Sequence, residues 1–80
     1  MKTAGDILND KKRDMVTIRP DQTIREALER MQVNRIGAIL VKRGEKIVGI
    51  WSERDLARDI LKQGFDIDTA LVENYMSTRL

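Results

Sequence analysis

Seven consecutive residues, Gly49-Ile50-Trp51-Ser52-Glu53-Arg54-Asp55, carry the side chains of this 80-residue chain best suited to chemistry. Ser52 stands where an apolar, strand-like run gives way to a helical pattern. At such a junction free backbone N–H groups and the positive end of the helix dipole favour an anion. Asp55, one turn on, offers a carboxylate that can accept from a pair of hydroxyls such as a ribose diol. Gly49 is unfavourable inside a strand unless another backbone or a ligand approaches closely. The spacing also has a plainer reading, because Ser52 and Asp55 make an ordinary capping pair. Arg54 and Arg58 are like-charged i,i+4 neighbours, as are Asp55 and Asp59, and each such pair costs roughly 0.2–0.5 kcal/mol in an isolated helix. An anion over the two arginines would relieve the first, whereas Asp55–Arg58 and Asp59–Lys62 pairing at i,i+3 would relieve both on a solvated face. Lys11-Lys12-Arg13 is either a further phosphate contact or a solvated loop.

Composition removes most other chemistry. The chain has no Cys and no His, so disulfides, thiolate or imidazole zinc sites, Ser-His or Cys-His nucleophiles and imidazole bases are excluded. Asp55 with Asp59 presents too few oxygens for a convincing Mg2+ site, so hydrolysis is not expected and the chain reads as a non-enzyme. Lys+Arg 15 against Asp+Glu 13 are interspersed, which favours neither nucleic acid nor an anionic membrane. The opening Met1-Lys2-Thr3-Ala4-Gly5-Asp6 lacks an apolar signal-like core, and no apolar run approaches the ~18 residues of a membrane span, so a cytoplasmic protein is the expectation. A domain this small buries only about 60–65% of its unfolded surface and needs a partner or ligand to add stability.

The elements that must position the seven residues are legible in turn. Met15-Val16-Thr17-Ile18 is β-branched and stopped by Pro20-Asp21, which suits a first strand. Thr23 with Glu26 forms a capping box, and Ile24, Ala27, Leu28 and Met31 lie on one helical face, with Arg25–Glu29 and Glu26–Arg30 as outer ion pairs. Ile36-Gly37-Ala38-Ile39-Leu40-Val41 and Lys46-Ile47-Val48-Gly49-Ile50-Trp51 flank Arg43-Gly44-Glu45 as a β-hairpin. A second helix starts at Ser52, with Leu56, Ala57, Ile60 and Leu61 as its apolar stripe and Gly64 at its C-terminal end. The order is β-α-β-β-α: an α+β fold with a small three-stranded sheet, its first strand parallel to the hairpin, and two helices.

Both faces of the hairpin read as apolar. Ala38 and Leu40 point one way and Ile39 and Val41 the other, while Val48 and Ile50 oppose Ile47 and Trp51. Two short helices hardly cover both, so the open face is an expected interface unless the terminal segments fold over it. Ala4-Gly5-Asp6-Ile7-Leu8-Asn9 also resembles Val72-Glu73-Asn74-Tyr75-Met76-Ser77, as though a second copy of the unit were beginning.

Taken together, Val16-Thr17-Ile18-Arg19-Pro20-Asp21-Gln22-Thr23-Ile24, Glu26-Ala27-Leu28, the two hairpin runs and Ser52-Glu53-Arg54-Asp55-Leu56 resemble a CBS domain over about residues 4–78. Asn74-Tyr75-Met76-Ser77-Thr78 resembles the opening of the next repeat in that family. The resemblance implies a single repeat over 1–80, with its core at about 15–64 and 65–80 as a linker to a missing second repeat. It further implies pairing through the sheet into a Bateman-like module, as a homodimer or higher homo-oligomer, with an adenosyl ligand (AMP, ADP, ATP, NAD or S-adenosylmethionine) bound between repeats and no cofactor required. Carried over by position, Asp55 would hold the ribose hydroxyls, Ser52 and Arg54 would meet phosphate, Thr17 would border the adenine, and the backbone of Ile36, Gly37 and Ala38 would read its edge. Arg58, Lys12 and Arg13 are electrostatic additions to that set. Trp51 departs from the aliphatic residue usual in the family and is bulky enough to crowd or cap a site. The expected role is a regulatory, nucleotide-sensing module; the alternative is a self-association module without ligand.

Overall fold

Thr23 and Glu26 begin the first helix as their spacing demands. A computed structural model describes residues 16–79. In it the Glu26 amide donates to Thr23 Oγ1 at 3.2 Å and the Thr23 amide donates to Glu26 Oε1 at 3.2 Å, closing a capping box. Helix α1 then runs over Ile24–Asn34, burying Ile24, Ala27 and Met31. Arg35 ends it in the left-handed region, with φ 54. The outer ion pairs expected along α1 give way to other contacts. Arg25 pairs with Asp68, Glu26 is occupied by the cap and by Gln22 Nε2 at 2.8 Å, and Arg30 Nη1 donates to the Thr17 carbonyl at 2.6 Å.

Strands β1 (Thr17–Ile18), β2 (Ala38–Arg43) and β3 (Lys46–Ser52) form one sheet in the order β1-β2-β3, with β1 parallel to β2 and β2 antiparallel to β3. Met15, expected in the first strand, lies outside the described residues, as do Lys11-Lys12-Arg13 and the Ala4–Asn9 copy of the internal repeat. Gly44 makes the hairpin turn at φ +60. Register pairs Ile39 with Trp51 and Val41 with Gly49, and Ile18 stands opposite Val41, so these residues share the helix-covered face and are buried. Ala38, Leu40, Ile50 and Thr17 share the other face and keep solvent contact. A bulge at Val41/Lys42 leaves Val48 outside the pairing, since Val41 meets Gly49 and Lys42 meets Ile47, so the simple alternation expected for Val48 does not hold there.

The second helix differs from its sequence reading. Helix α2 spans only Glu53–Asp59. Of the expected stripe, Leu56 is half-buried, while Ala57 is exposed and Ile60 and Leu61 are 61% and 84% exposed. The buried residue is Asp59, at 0%. The reason is the Trp51 indole, which faces α2 from the end of β3 and donates to Asp59 Oδ2 at 3.1 Å, so that the helix turns a polar residue to the core. Past Asp59 the chain tightens through Lys62 N–H to Asp59 O at 3.0 Å, and Gly64, at φ +83, lies in the following turn rather than at the helix end.

Residues 65–79 are part of the packed unit, which corrects their expected role as a linker beyond a core ending near 64. Val72 is fully buried, and Phe65, Ile67, Ala70, Tyr75 and Met76 pack against the core. The amides of Ile24 and Arg25 donate to the Ala70 and Ile67 carbonyls at 2.9 and 3.0 Å, so this segment satisfies groups at the open N-terminus of α1. A 3-10 turn at Val72–Asn74 then leads to Ser77, which exchanges two backbone hydrogen bonds with Ile50, at 2.9 and 2.8 Å. Gly49 permits that crossing. A Cβ there would stand 2.5 Å from Met76 Sδ and 2.9 Å from the Ser77 carbonyl oxygen, so the close approach expected at Gly49 is made by the chain itself.

Gly49→Ala should therefore destabilise the fold by about 1–3 kcal/mol in urea unfolding, with Met76→Ala restoring only part because the Ser77 carbonyl is backbone. Acid should act through two carboxylates. Hydrogen bonds from Gln22 and then Thr23 hold Glu26 below its ordinary 4.5, and Arg25 holds Asp68 below its ordinary 3.8. A carboxylate depressed in the folded state adds stability above its unfolded pKa and loses it as pH falls through the folded one. Unfolding midpoints should be level from neutral pH to about 4.5 and fall below that, and Glu26→Gln with Asp68→Asn should flatten the decline.

Candidate functional site

Ser52 is both the last residue of β3 and the N-cap of α2, in extended backbone at φ −138 and ψ 167. The capping geometry is complete. The Asp55 amide donates to Ser52 Oγ at 3.3 Å, while Asp55 Oδ2 accepts from the Ser52 amide at 2.9 Å and from its hydroxyl at 3.0 Å. The plain reading of this pair is thus realised, and it uses one carboxylate oxygen. Asp55 Oδ1 faces the Arg58 guanidinium at 3.4 Å, and the side chain retains 19% exposure.

Of the remaining expected residues, Gly37 and Ala38 adjoin that junction, while Thr17 stands two strands away on the same sheet face. Ala38 pairs directly with Ser52 across β2 and β3, and Thr17 sits opposite Leu40 in β1, so Thr17, Ala38 and Ser52 share the face away from the helices. Gly37, just before β2, accepts the Glu53 amide at 3.0 Å, which ties the Ile36-Gly37-Ala38 segment to the first turn of α2. Gly37 and Ala38 are exposed, whereas Ile36 is partly buried and packs on the core. Arg54 is exposed on α2. Arg58 is exposed as well but engaged, donating to Asp59 Oδ1 at 3.1 Å and to the Tyr75 carbonyl at 3.5 Å. Among the hollows that the described residues line, one of about 570 Å3 lies between α1 and the start of α2, at Leu28, Met31, Val33 and Glu53, and one of about 310 Å3 lies at Arg19, Lys42 and Glu73.

Trp51 takes neither of the roles expected for it, because its ring is fully buried against the core and its indole N–H is spent on Asp59. Sequence reasoning missed Asp59 as a structural residue and placed it on a solvated face. A signal was present, since a buried Trp requires a hydrogen-bond acceptor and Asp59 is the acid one turn beyond Asp55 on the same helix. Asp59 Oδ1 also meets Lys62 Nζ at 3.4 Å, in the i,i+3 arrangement that the charge order suggested.

This β-α-β-β-α unit has the residue pattern of a known family along most of its length. The CBS domain family model matches residues 4–62. A CBS domain-containing protein of Bacillus subtilis, YhcV, is 38% identical over 66 residues, spanning 82% of this chain and 46% of its own length. The chain belongs to the CBS-domain family. CBS-domain structures from Burkholderia ambifaria and Agrobacterium tumefaciens superpose with TM-scores of 0.81 and 0.78, each at 32% identity and over 99% of this chain. The chain covers 60% and 64% of those two proteins, so it spans about half to two-thirds of its relatives. CBS domains are generally regulatory rather than catalytic. Among the described residues no three acidic, His or Cys side chains converge to hold a metal, and no helix is long and apolar enough to cross a membrane.

The buried acceptor at the end of α2 makes a direct prediction. Asp59→Ala orphans the Trp51 indole N–H and should cost about 1–3 kcal/mol in urea unfolding, whereas Asp59→Asn keeps an acceptor and should cost less. Equal losses in the two variants would show that charge, and not the indole hydrogen bond, is what this CBS domain needs there.

Proposed function

We propose that this CBS domain is a nucleotide-sensing regulatory unit, one repeat over residues 1–80, that pairs through the face of its sheet away from α1 and α2 with a second copy of the chain, as a homodimer or higher homo-oligomer, to form a Bateman-like module. An adenosyl compound (AMP, ADP, ATP, NAD or S-adenosylmethionine) is its ligand, and its setting is the cytoplasm. One observation carries the reading: Thr17, Ala38 and Ser52 share the sheet face that neither α1 nor α2 covers among the described residues, with the partly exposed Asp55 carboxylate beside Ser52.

In this arrangement Asp55 accepts the ribose hydroxyls through Oδ1, Ser52 and the exposed Arg54 meet the phosphate, and Thr17 with the Ile36-Gly37-Ala38 backbone flanks the base. Arg58 adds charge beside them. Leu40 and Ile50, on the same face, supply the apolar contact for pairing. Regulation then follows from linkage: a ligand that binds the paired form better than the free one shifts that equilibrium by its difference in affinity.

The closed capping box favours a second reading, in which the unit associates with its own kind and Ser52 and Asp55 only hold the helix. Calorimetry with AMP, ATP, NAD and S-adenosylmethionine separates the two, and silence with all four would leave the association module. A ligand present at about 100 times its Kd should add about 2.7 kcal/mol and raise the Tm by about 10–20 °C. Asp55→Ala should abolish that shift if Asp55 binds the ligand, whereas the lost cap alone costs about 1 kcal/mol and leaves affinity intact. Light scattering should give a molar mass at least twice that of the chain, and a persistent monomer would overturn both readings.

A further inference from the structure

We propose that Arg58 couples occupancy of Asp55 to the seating of the C-terminal segment on β3; the inference rests on the reading of Asp55 as the ligand's hydroxyl acceptor. The Arg58 guanidinium reaches three groups at once. It stands 3.4 Å from Asp55 Oδ1 and 3.1 Å from Asp59 Oδ1, and it donates to the Tyr75 carbonyl at 3.5 Å. Asp59 is the fixed member, because it is buried and held by the Trp51 indole. Asp55 and Tyr75 are the two that can be exchanged.

The contacts form a closed ring. From Tyr75 the chain runs two residues to Ser77, which shares two backbone hydrogen bonds with Ile50. Ile50 lies two residues before Ser52, whose amide and hydroxyl bind Asp55 Oδ2, and Asp55 Oδ1 returns to Arg58. Within Asp55 the duties of the two oxygens are thus divided. Oδ2 is committed to the cap, and Oδ1 has Arg58 as its partner among the described residues. A hydroxyl donor arriving at Oδ1 displaces the guanidinium, and a phosphate beside Arg54 draws it outward. Because Nη1 and Nη2 belong to one rigid plane, turning Nη1 away from Oδ1 also turns Nη2 away from the Tyr75 carbonyl, a contact already at 3.5 Å.

Tyr75 keeps other anchors, the edge of Phe65 at 5.0 Å between ring centres and Lys62 at 5.3 Å from its ring, so the segment loosens without detaching. By linkage the effect is reciprocal, and anything that pulls on residues 75–77 changes the affinity at Asp55. Arg58 is 57% exposed, which sets the size of the coupling at a few-fold.

Amide hydrogen exchange in the full chain reads it directly, since the Ile50 and Ser77 amides are the two that the segment protects. Without ligand, Arg58→Ala should speed exchange at both by about two- to fivefold, with Ala27 in α1 unchanged. Unchanged rates at Ile50 and Ser77 would overturn the coupling; Arg58→Gln gives the same comparison if the alanine variant unfolds. Saturating AMP should then speed the same two amides in the native chain and not in Arg58→Ala. AMP that binds and leaves them unmoved overturns the coupling, whereas AMP that fails to bind overturns the nucleotide reading alone, the variant comparison still deciding the contact.

Discussion

The strand-to-helix junction depends on the hydrogen bond from the Trp51 indole to the buried Asp59 carboxylate. A helix of seven residues does not hold its shape in water, because the cost of nucleation exceeds what so few backbone bonds return. Here the first turn is closed by Ser52 and Asp55, and the last residue is pinned to the end of the preceding strand. The helix is therefore fastened at both ends to β3, and its side chains are displayed from a fixed platform.

The same carboxylate settles the charge pattern of α2. Asp59 collects Arg58 and Lys62, and Asp55 shares Arg58, so both like-signed i,i+4 pairs are balanced without an external ion. An anion is consequently not required for this helix to form, and its binding competes with contacts already in place.

Legibility in the sequence followed the range of the interaction. The capping boxes at Thr23 and Ser52, the face formed by Ile24, Ala27 and Met31, and the hairpin around Gly44 are set within a few residues, and all stand where the spacing puts them. That Ala38 and Leu40 share one sheet face and Ile39 and Val41 the other was legible because parity along a strand decides it. Features set by partners distant in the chain were not. Arg25 takes Asp68, 43 positions away, over its neighbour Glu29, and Ile60 and Leu61 are released to solvent because Trp51 selects an acid for the buried turn. The packing of residues 65–79 was hidden for the same reason, although Gly49 had marked the place where a backbone had to pass.

The backbone pair between Ser77 and Ile50 has a consequence for assembly. An unpaired outer strand invites further strands to add along its length, the common route to indiscriminate aggregation. Ser77 occupies both hydrogen-bonding groups of Ile50 on the free side of β3, and the opposite margin, β1, is two residues long. Growth of the sheet sideways is blocked at one margin and offered little purchase at the other. At Ile50 the outward main-chain groups of β3 are spent within the chain itself and are not on offer to a further strand.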